Sequence, residues 1–202
     1  YRGYKPVLWS TVEKTALADA EVEYMDHVSD TIYAAFKVKV SNLDIIDGAD
    51  VIIWTTTPWT IPANKALAYN AGLKYVLLEI NDNKNFVNRK IVIAKDLLEP
   101  FKKDTSIENI KVLNEFLGKD LKGTICSHPF SKMGYDYDIP MLEASFVTTE
   151  QGTGIVHCAP SHGPDDFNLC LNNNIKAIET VDGDGKYTVS YTHLRAHETT
   201  NY

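Results

Sequence analysis

The chain has 202 residues, 44% of them apolar and 23% charged, with a formal net charge of -7. These values support one hydrophobic core and exclude a domain-wide basic footprint for nucleic acid, so any RNA contact must be local. Three cysteines (Cys126, Cys158 and Cys170) cannot all pair, and no apolar run approaches the ~18 residues of a membrane span; with no signal-peptide layout in YRGYKPVLWS, a cytoplasmic, reducing location is expected.

Residues 1–20 are mixed, and the pattern predicts a helix over 12–19 followed by an extended stretch at 21–24. Residues 31–40 end with Phe36, Val38 and Val40 alternating against Lys37 and Lys39, the period of a half-buried strand. Residues 50–56 open with Val51-Ile52-Ile53-Trp54, which suits a buried strand, and Pro58 and Pro62 bar its continuation. Residues 62–68 read as a short helical turn with proline near its start. Strands are expected at 75–80 and 90–94 around a turn at 81–85, with a helix over 95–103 carrying Leu97, Leu98 and Phe101. Weaker strand patterns occupy 111–116 and 124–125. Residues 146–149 lead into Gly152-Thr153-Gly154, then the apolar Ile155-Val156, and a helix is expected over 165–171. Short strands separated by small helices predict a β-rich α+β domain, barrel-like in form. The final VSYTHLRAHETTNY, residues 189–202, fits nothing before it and resembles translated adapter sequence. His193 and His197 therefore receive no role, despite their spacing.

Two stretches carry chemistry. In WTTTPWTIPAN, residues 54–64, strand alternation points Thr55 and Thr57 one way and Thr56 the other. Pro58 then breaks the ladder and frees nearby backbone groups. Hydroxyls donate and accept hydrogen bonds without charge, so this strand end suits a ribose, an adenine edge or a positioned water better than a phosphate. The plain reading is a threonine-rich strand end, since threonine is a good strand residue.

In GTGIVHCAPSHGPDDF, residues 152–167, the glycines permit close backbone approach or positive φ. They precede a strand, so neither the dinucleotide-binding nor the P-loop pattern is present. His157, His162, Asp165 and Asp166 follow, in a loop shaped by Pro160 and Pro164. Helix capping is the plain alternative for either aspartate, and a satisfied core histidine for His157. A metal would need His157, Cys158, His162 and Asp166 to converge, yet adjacent strand residues diverge; no metal is assigned. The cysteines have apolar neighbours and nothing to lower a thiol pKa.

Together the two stretches resemble the editing domain of class I isoleucyl-tRNA synthetases, a domain inserted into the synthetase's catalytic fold. YRGYKPVLWS resembles the stretch leading into that insertion. The resemblance implies a lead-in at 1–24, an editing domain at 25–188 and a non-native tail at 189–202. Valyl and leucyl relatives typically carry Thr-Thr-Arg-Pro, whereas Thr57 stands at the arginine place here and Trp59 at a place those relatives give to an acidic residue. Cys158 departs mildly from the more usual threonine. His-Ile-Gly-His-type and Lys-Met-Ser-Lys-Ser-type motifs are missing from the sequence, so the chain is not expected to form an aminoacyl-adenylate. The resemblance implies no cofactor for this domain, with ATP and magnesium belonging to the parent synthetase. Its implied partners are the tRNA(Ile) acceptor end and the rest of that synthetase, with no membrane.

The resemblance also implies roles. Asp166 receives the α-ammonium of a misattached amino acid, which suits a carboxylate. His157 lines the side-chain pocket. Thr55, Thr56 and Thr57 contact the terminal adenosine and ester and help place water. Trp59 packs at the pocket wall or floor, Asn64 orients substrate or water, and Gly154 joins the substrate-binding set. The expected reaction is hydrolysis of mischarged valyl-tRNA(Ile). Three other readings stand beside it: a valyl-type editing domain, a non-catalytic module that holds the tRNA end, and a metal-dependent hydrolase using His157, His162 and Asp166.

Overall fold

In the computed structural model, which describes residues 5–82 and 86–188, strands account for most of the regular structure. A short hairpin comes first, β1 (Trp9–Ser10) pairing antiparallel with β2 (Thr15–Ala16). It replaces the helix expected over 12–19: Lys14 takes a left-handed φ of 55° in the turn, and its N–H returns to Ser10 O at 2.9 Å. Residues 22–24 have no regular structure.

Nine further strands form one mixed sheet: β3 (Ile32–Val40), β4 (Asp50–Thr55), β5 (Ala66–Tyr69), β6 (Lys74–Asp82), β7 (Phe86–Ala94), β8 (Ile110–Leu117), β9 (Ile125–Ser127), β10 (Asp138–Glu143) and β11 (Ile155–Cys158). Their order is β11-β5-β10-β9-β3-β4-β7-β6-β8, with β4/β7 and β5/β10 parallel and the other pairs antiparallel. Helix α1 (Leu98–Thr105) follows a 3₁₀ turn at Lys95–Leu97, and α2 (Pro164–Asn172) follows β11. The turn expected at 81–85 lies partly within β6 and partly outside the described residues, as does the whole stretch 189–202.

The β-rich α+β class expected from sequence is the class observed. The sheet curls without closing: β11 lies over β4, yet among the described residues no ladder joins the two ends of the strand order. Both faces of the central strands are nevertheless buried. Ile52, Val76, Leu78, Ile91 and Ile93 pack with Phe101 of α1, whereas Val51, Ile53, Leu77 and Val92 pack with Leu67, Tyr69, Ile139, Met141 and Ile155 from the folded-over end.

The hairpin β1/β2 meets the far end of the described chain. Trp9 Nε1 donates to Gly183 O at 3.0 Å, and Lys14 Nζ pairs with Asp184 at 2.7 Å. Gly183 and Asp184 lie in the turn of a small loop closed by the Val181–Tyr187 bridge.

Candidate functional site

The site grows from the ends of three strands. β4 stops at Thr55, and a 3₁₀ turn over Pro58–Ala63 with Pro58 at its start leads to Asn64 and β5. The helical turn expected over 62–68 is thus displaced toward the N-terminus, and residues 66–69 are strand. β5 lies between β10 and β11, with Leu67 opposite both Met141 and His157. The Lys65 N–H extends that contact to Cys158 O at 2.9 Å, which brings Asn64 level with the His157 ring.

Side chains from this corner form one continuous chain of hydrogen bonds. Thr55 Oγ1 accepts from the Thr57 N–H at 3.1 Å and lies 3.2 Å from Thr57 Oγ1. Thr57 Oγ1 is 3.4 Å from Thr60 Oγ1, and Thr60 Oγ1 donates to Thr57 O at 2.8 Å. Thr60 Oγ1 is 2.9 Å from His157 Nε2, and His157 Nδ1 is 3.3 Å from Asn64 Nδ2, which also donates to Ala66 O at 3.0 Å. Thr60 has one hydroxyl proton, and Thr57 O takes it. Thr60 must therefore accept from His157, so Nε2 carries the ring proton and Nδ1 accepts from Asn64. Burial pushes the His157 pKa down to about 4, with His162 and His128 adding to the shift, so the ring is neutral near pH 7. Asn64 is fully buried and its Oδ1 has no hydrogen-bond partner.

Thr56, one residue past the end of β4, is exposed and does not belong to this hydrogen-bond chain. Trp59 is half-exposed, meets the His162 ring edge-to-face at 5.0 Å, and its carbonyl accepts from Tyr187 OH at 2.6 Å. His162 Nε2 lies 2.9 Å from Thr180 Oγ1. Gly154 has a φ of +71°, and a Cβ there would come within 2.3 Å of Ala94 Cβ. This close approach is to its own chain, and Gly154 O accepts from Tyr75 OH at 2.8 Å.

Asp166 stands in the first turn of α2, but Gly163 is the N-cap. The carboxylate reaches backward instead, where Oδ2 accepts from the Ala159 N–H at 2.9 Å. It does not join the threonine–histidine chain, and among the described residues no lysine, arginine or histidine forms an ion pair with it. Burial raises its pKa, the Ala159 N–H opposes the rise and Asp165 adds to it. A half-buried carboxylate without a cation is electrostatically prepared for an ammonium group.

Cys158 faces the opposite way from His157, packing with Ala66, Ala68, Ala144, Val147 and Cys170. Burial raises the thiol pKa of all three cysteines, to about 12 for Cys126 and about 11 for Cys170, and none is a poised nucleophile. Among the described residues no three His, Cys, Asp or Glu side chains converge in a way that could hold a metal ion. Both ring nitrogens of His157 are already engaged within the protein.

Thr60 belongs to the threonine motif, but the sequence by itself gives it no role of its own. Its spacing of three from Thr57, across a proline, was the available signal for a 3₁₀ contact. His128, too, is given no role by sequence alone. It is buried, its Nε2 lies 3.0 Å from Ile61 O, and its Nδ1 accepts from the Phe130 N–H at 3.0 Å.

The fold is that of solved synthetase editing domains. Among solved structures, GlLeuRS-CP1 aligns at a TM-score of 0.54 with 20% identity, over 70% of this chain and 61% of that one. The P.knowlesi cytosolic leucyl-tRNA synthetase editing domain aligns at 0.51 with 17% identity, over 72% and 63%. Residues 36–201 match the family described as leucyl-tRNA synthetase, editing domain, and the chain belongs to that family. Its relatives include the isoleucine–tRNA ligase of Pelagibacter ubique (strain HTCC1062), 72% identical over 188 residues, covering 93% of this chain and 21% of that protein. The isoleucine–tRNA ligase of Gluconobacter oxydans (strain 621H) is 47% identical over 200 residues, covering 96% and 21%. The chain thus spans about a fifth of the length of the curated relatives it matches.

Proposed function

We propose that this domain hydrolyses valyl-tRNA(Ile) as the size-excluding sieve of a cytoplasmic isoleucyl-tRNA synthetase, whose ligation of isoleucine uses ATP and magnesium in other parts of the enzyme. The observation that carries the reading is the closed hydrogen-bond chain from Thr55 through Thr57 and Thr60 to His157 and Asn64. It fixes a neutral imidazole as a shaped wall. With both ring nitrogens engaged, His157 serves recognition rather than proton abstraction.

A sieve is needed because one methylene is worth only ~1–3 kcal/mol in an apolar pocket, a limit for which isoleucyl-tRNA synthetases are themselves the standard example. Asp166 would receive the substrate ammonium. Thr55, Thr56 and Thr57 would orient the ester, the terminal ribose and water, with Trp59 bounding the pocket and Asn64, fully buried, acting through the His157 ring it holds. An aminoacyl ester is already reactive, so positioning supplies much of the rate. The identity of the chain to isoleucine–tRNA ligases, and Thr57 where valyl and leucyl relatives carry arginine, favour valine as the rejected amino acid.

The test is deacylation of purified valyl-tRNA(Ile) by the chain and by its Asp166→Ala variant. The wild type should release valine and the variant should lose at least about a hundredfold in rate, the scale of a removed charge-assisted contact. Equal rates for the two would overturn the role of Asp166, and tRNA retained without hydrolysis would favour a holding module.

A further inference from the structure

Behind the threonine–histidine corner lies an aromatic cluster that the proposed reaction does not use. His128 stacks on Tyr135 at 4.8 Å between ring centroids, with Phe130 and Tyr137 alongside at 5.5 and 5.4 Å. Lys65 Nζ sits 3.7 Å above the Tyr137 ring. Two donors leave this cluster and both reach the backbone of the segment that carries Thr60 and Asn64. His128 Nε2 donates to Ile61 O at 3.0 Å, and Tyr137 OH donates to Asn64 O at 3.0 Å. The His128 tautomer is fixed because each partner has one role: Phe130 N–H can only donate and Ile61 O can only accept.

The Asn64 backbone is therefore held at both ends. Its N–H donates to Ile61 O at 3.0 Å, the carbonyl that also takes the His128 proton, and its own carbonyl takes the Tyr137 proton. Its side chain is left with Nδ2 divided between Ala66 O and His157 Nδ1. The Asn64–His157 contact is the long one in this set, at 3.3 Å, so a small backbone shift at residue 64 is enough to release it.

We infer that His128 and Tyr137 are positioning residues that set the size limit of the editing pocket, by holding Ile61 and Asn64 so that Asn64 and Thr60 lock the His157 ring. The inference rests on the proposed editing reaction for its kinetic arm and stands without it for its spectroscopic arm. Loss of either donor frees Asn64, lets the His157 ring tilt and enlarges the space offered to the amino-acid side chain. The consequence is a change in discrimination, with valyl ester still cleaved and isoleucyl ester admitted.

Tyr137→Phe removes the hydroxyl and keeps the ring beneath Lys65. His128→Phe keeps an aromatic ring in the stack and removes the donor, whereas His128→Gln keeps a donor near the Nε2 position. The valyl-to-isoleucyl ratio of kcat/KM for deacylation should fall about tenfold in Tyr137→Phe and His128→Phe, the scale of one lost hydrogen bond to a buried group. It should recover in His128→Gln. A ratio unchanged in both phenylalanine variants, with wild-type hydrolysis intact, overturns this inference and leaves the editing reading standing. If the wild type hydrolyses neither ester, the editing reading itself falls. The second arm then decides the positioning: ring-nitrogen chemical shifts of His157 in the labelled chain should report one Nε2–H tautomer in the wild type and a mixture in Tyr137→Phe. A single unchanged tautomer in that variant overturns the coupling.

Discussion

His157 offers a buried ring whose protonation state follows from counting hydroxyl protons, and the size reading follows from that state. His157→Ala should admit isoleucyl ester, giving measurable deacylation of isoleucyl-tRNA(Ile); continued rejection would assign the size limit to another wall, Trp59 first. His128 and His157 also make a linkage prediction. Burial lowers each from an ordinary histidine value of 6.5 to about 4. Between those values the unfolded chain binds protons that the folded chain refuses, so stability is lost as pH falls from 6.5 toward 4. The loss is roughly 2 kcal/mol per ring by pH 5. Asp166 runs the other way, since its raised pKa favours protonation in the fold. The thermal midpoint should drop from pH 7 to pH 5, and His128→Phe should show a shallower pH slope than the wild type whatever its midpoint at pH 7.

Among the elements, β4, β6, β7, β11 and α2 were legible because each carries its own periodicity or punctuation, as in Val51-Ile52-Ile53 before Pro58. β5 was not. Ala66-Leu67-Ala68 are good helix formers, and only pairing with β10 and β11, distant in sequence, makes them strand. β10 was hidden by Pro140, which sits where the strand changes partners: residues 138–140 pair with β9 and 141–143 with β5. Val40 broke its alternation by lying 55% exposed, beyond a register shift after Val38. The site was half legible in the same sense. Motif residues could be named, but the link from Thr60 to His157 depends on how the 3₁₀ turn aims a hydroxyl. Gly154 gives this scale its prediction. Gly154→Ala meets both a left-handed backbone and Ala94, so it should cost more than about 2 kcal/mol, read as a lower urea midpoint.

At the scale of the domain, the sheet folds back far enough to bury both faces of its centre, while among the described residues no ladder joins its two ends. The corner of the fold that holds Thr55, Thr60, Asn64 and His157 is assembled from segments on either side of β6, β7 and β8, so its geometry depends on the sheet forming in full. Net charge of -7 sets the terms for tRNA. Because the chain is acidic overall, contact with the acceptor end should be weak for the chain by itself.

The bonds from Trp9 to Gly183 and from Lys14 to Asp184 join the hairpin at one end of the described chain to the loop at the other. In mechanical terms they form a buckle. Tension applied between residues 5 and 188 loads this buckle before it reaches any rung of the nine-stranded sheet. A single-molecule pulling trace should therefore begin with a small, early rupture before the large unfolding event, at lower force in Trp9→Phe, where only the Lys14–Asp184 pair remains. The Tyr187 hydroxyl bond to the Trp59 carbonyl lies on the same load path, so the 3₁₀ turn that carries Thr60 shares that tension.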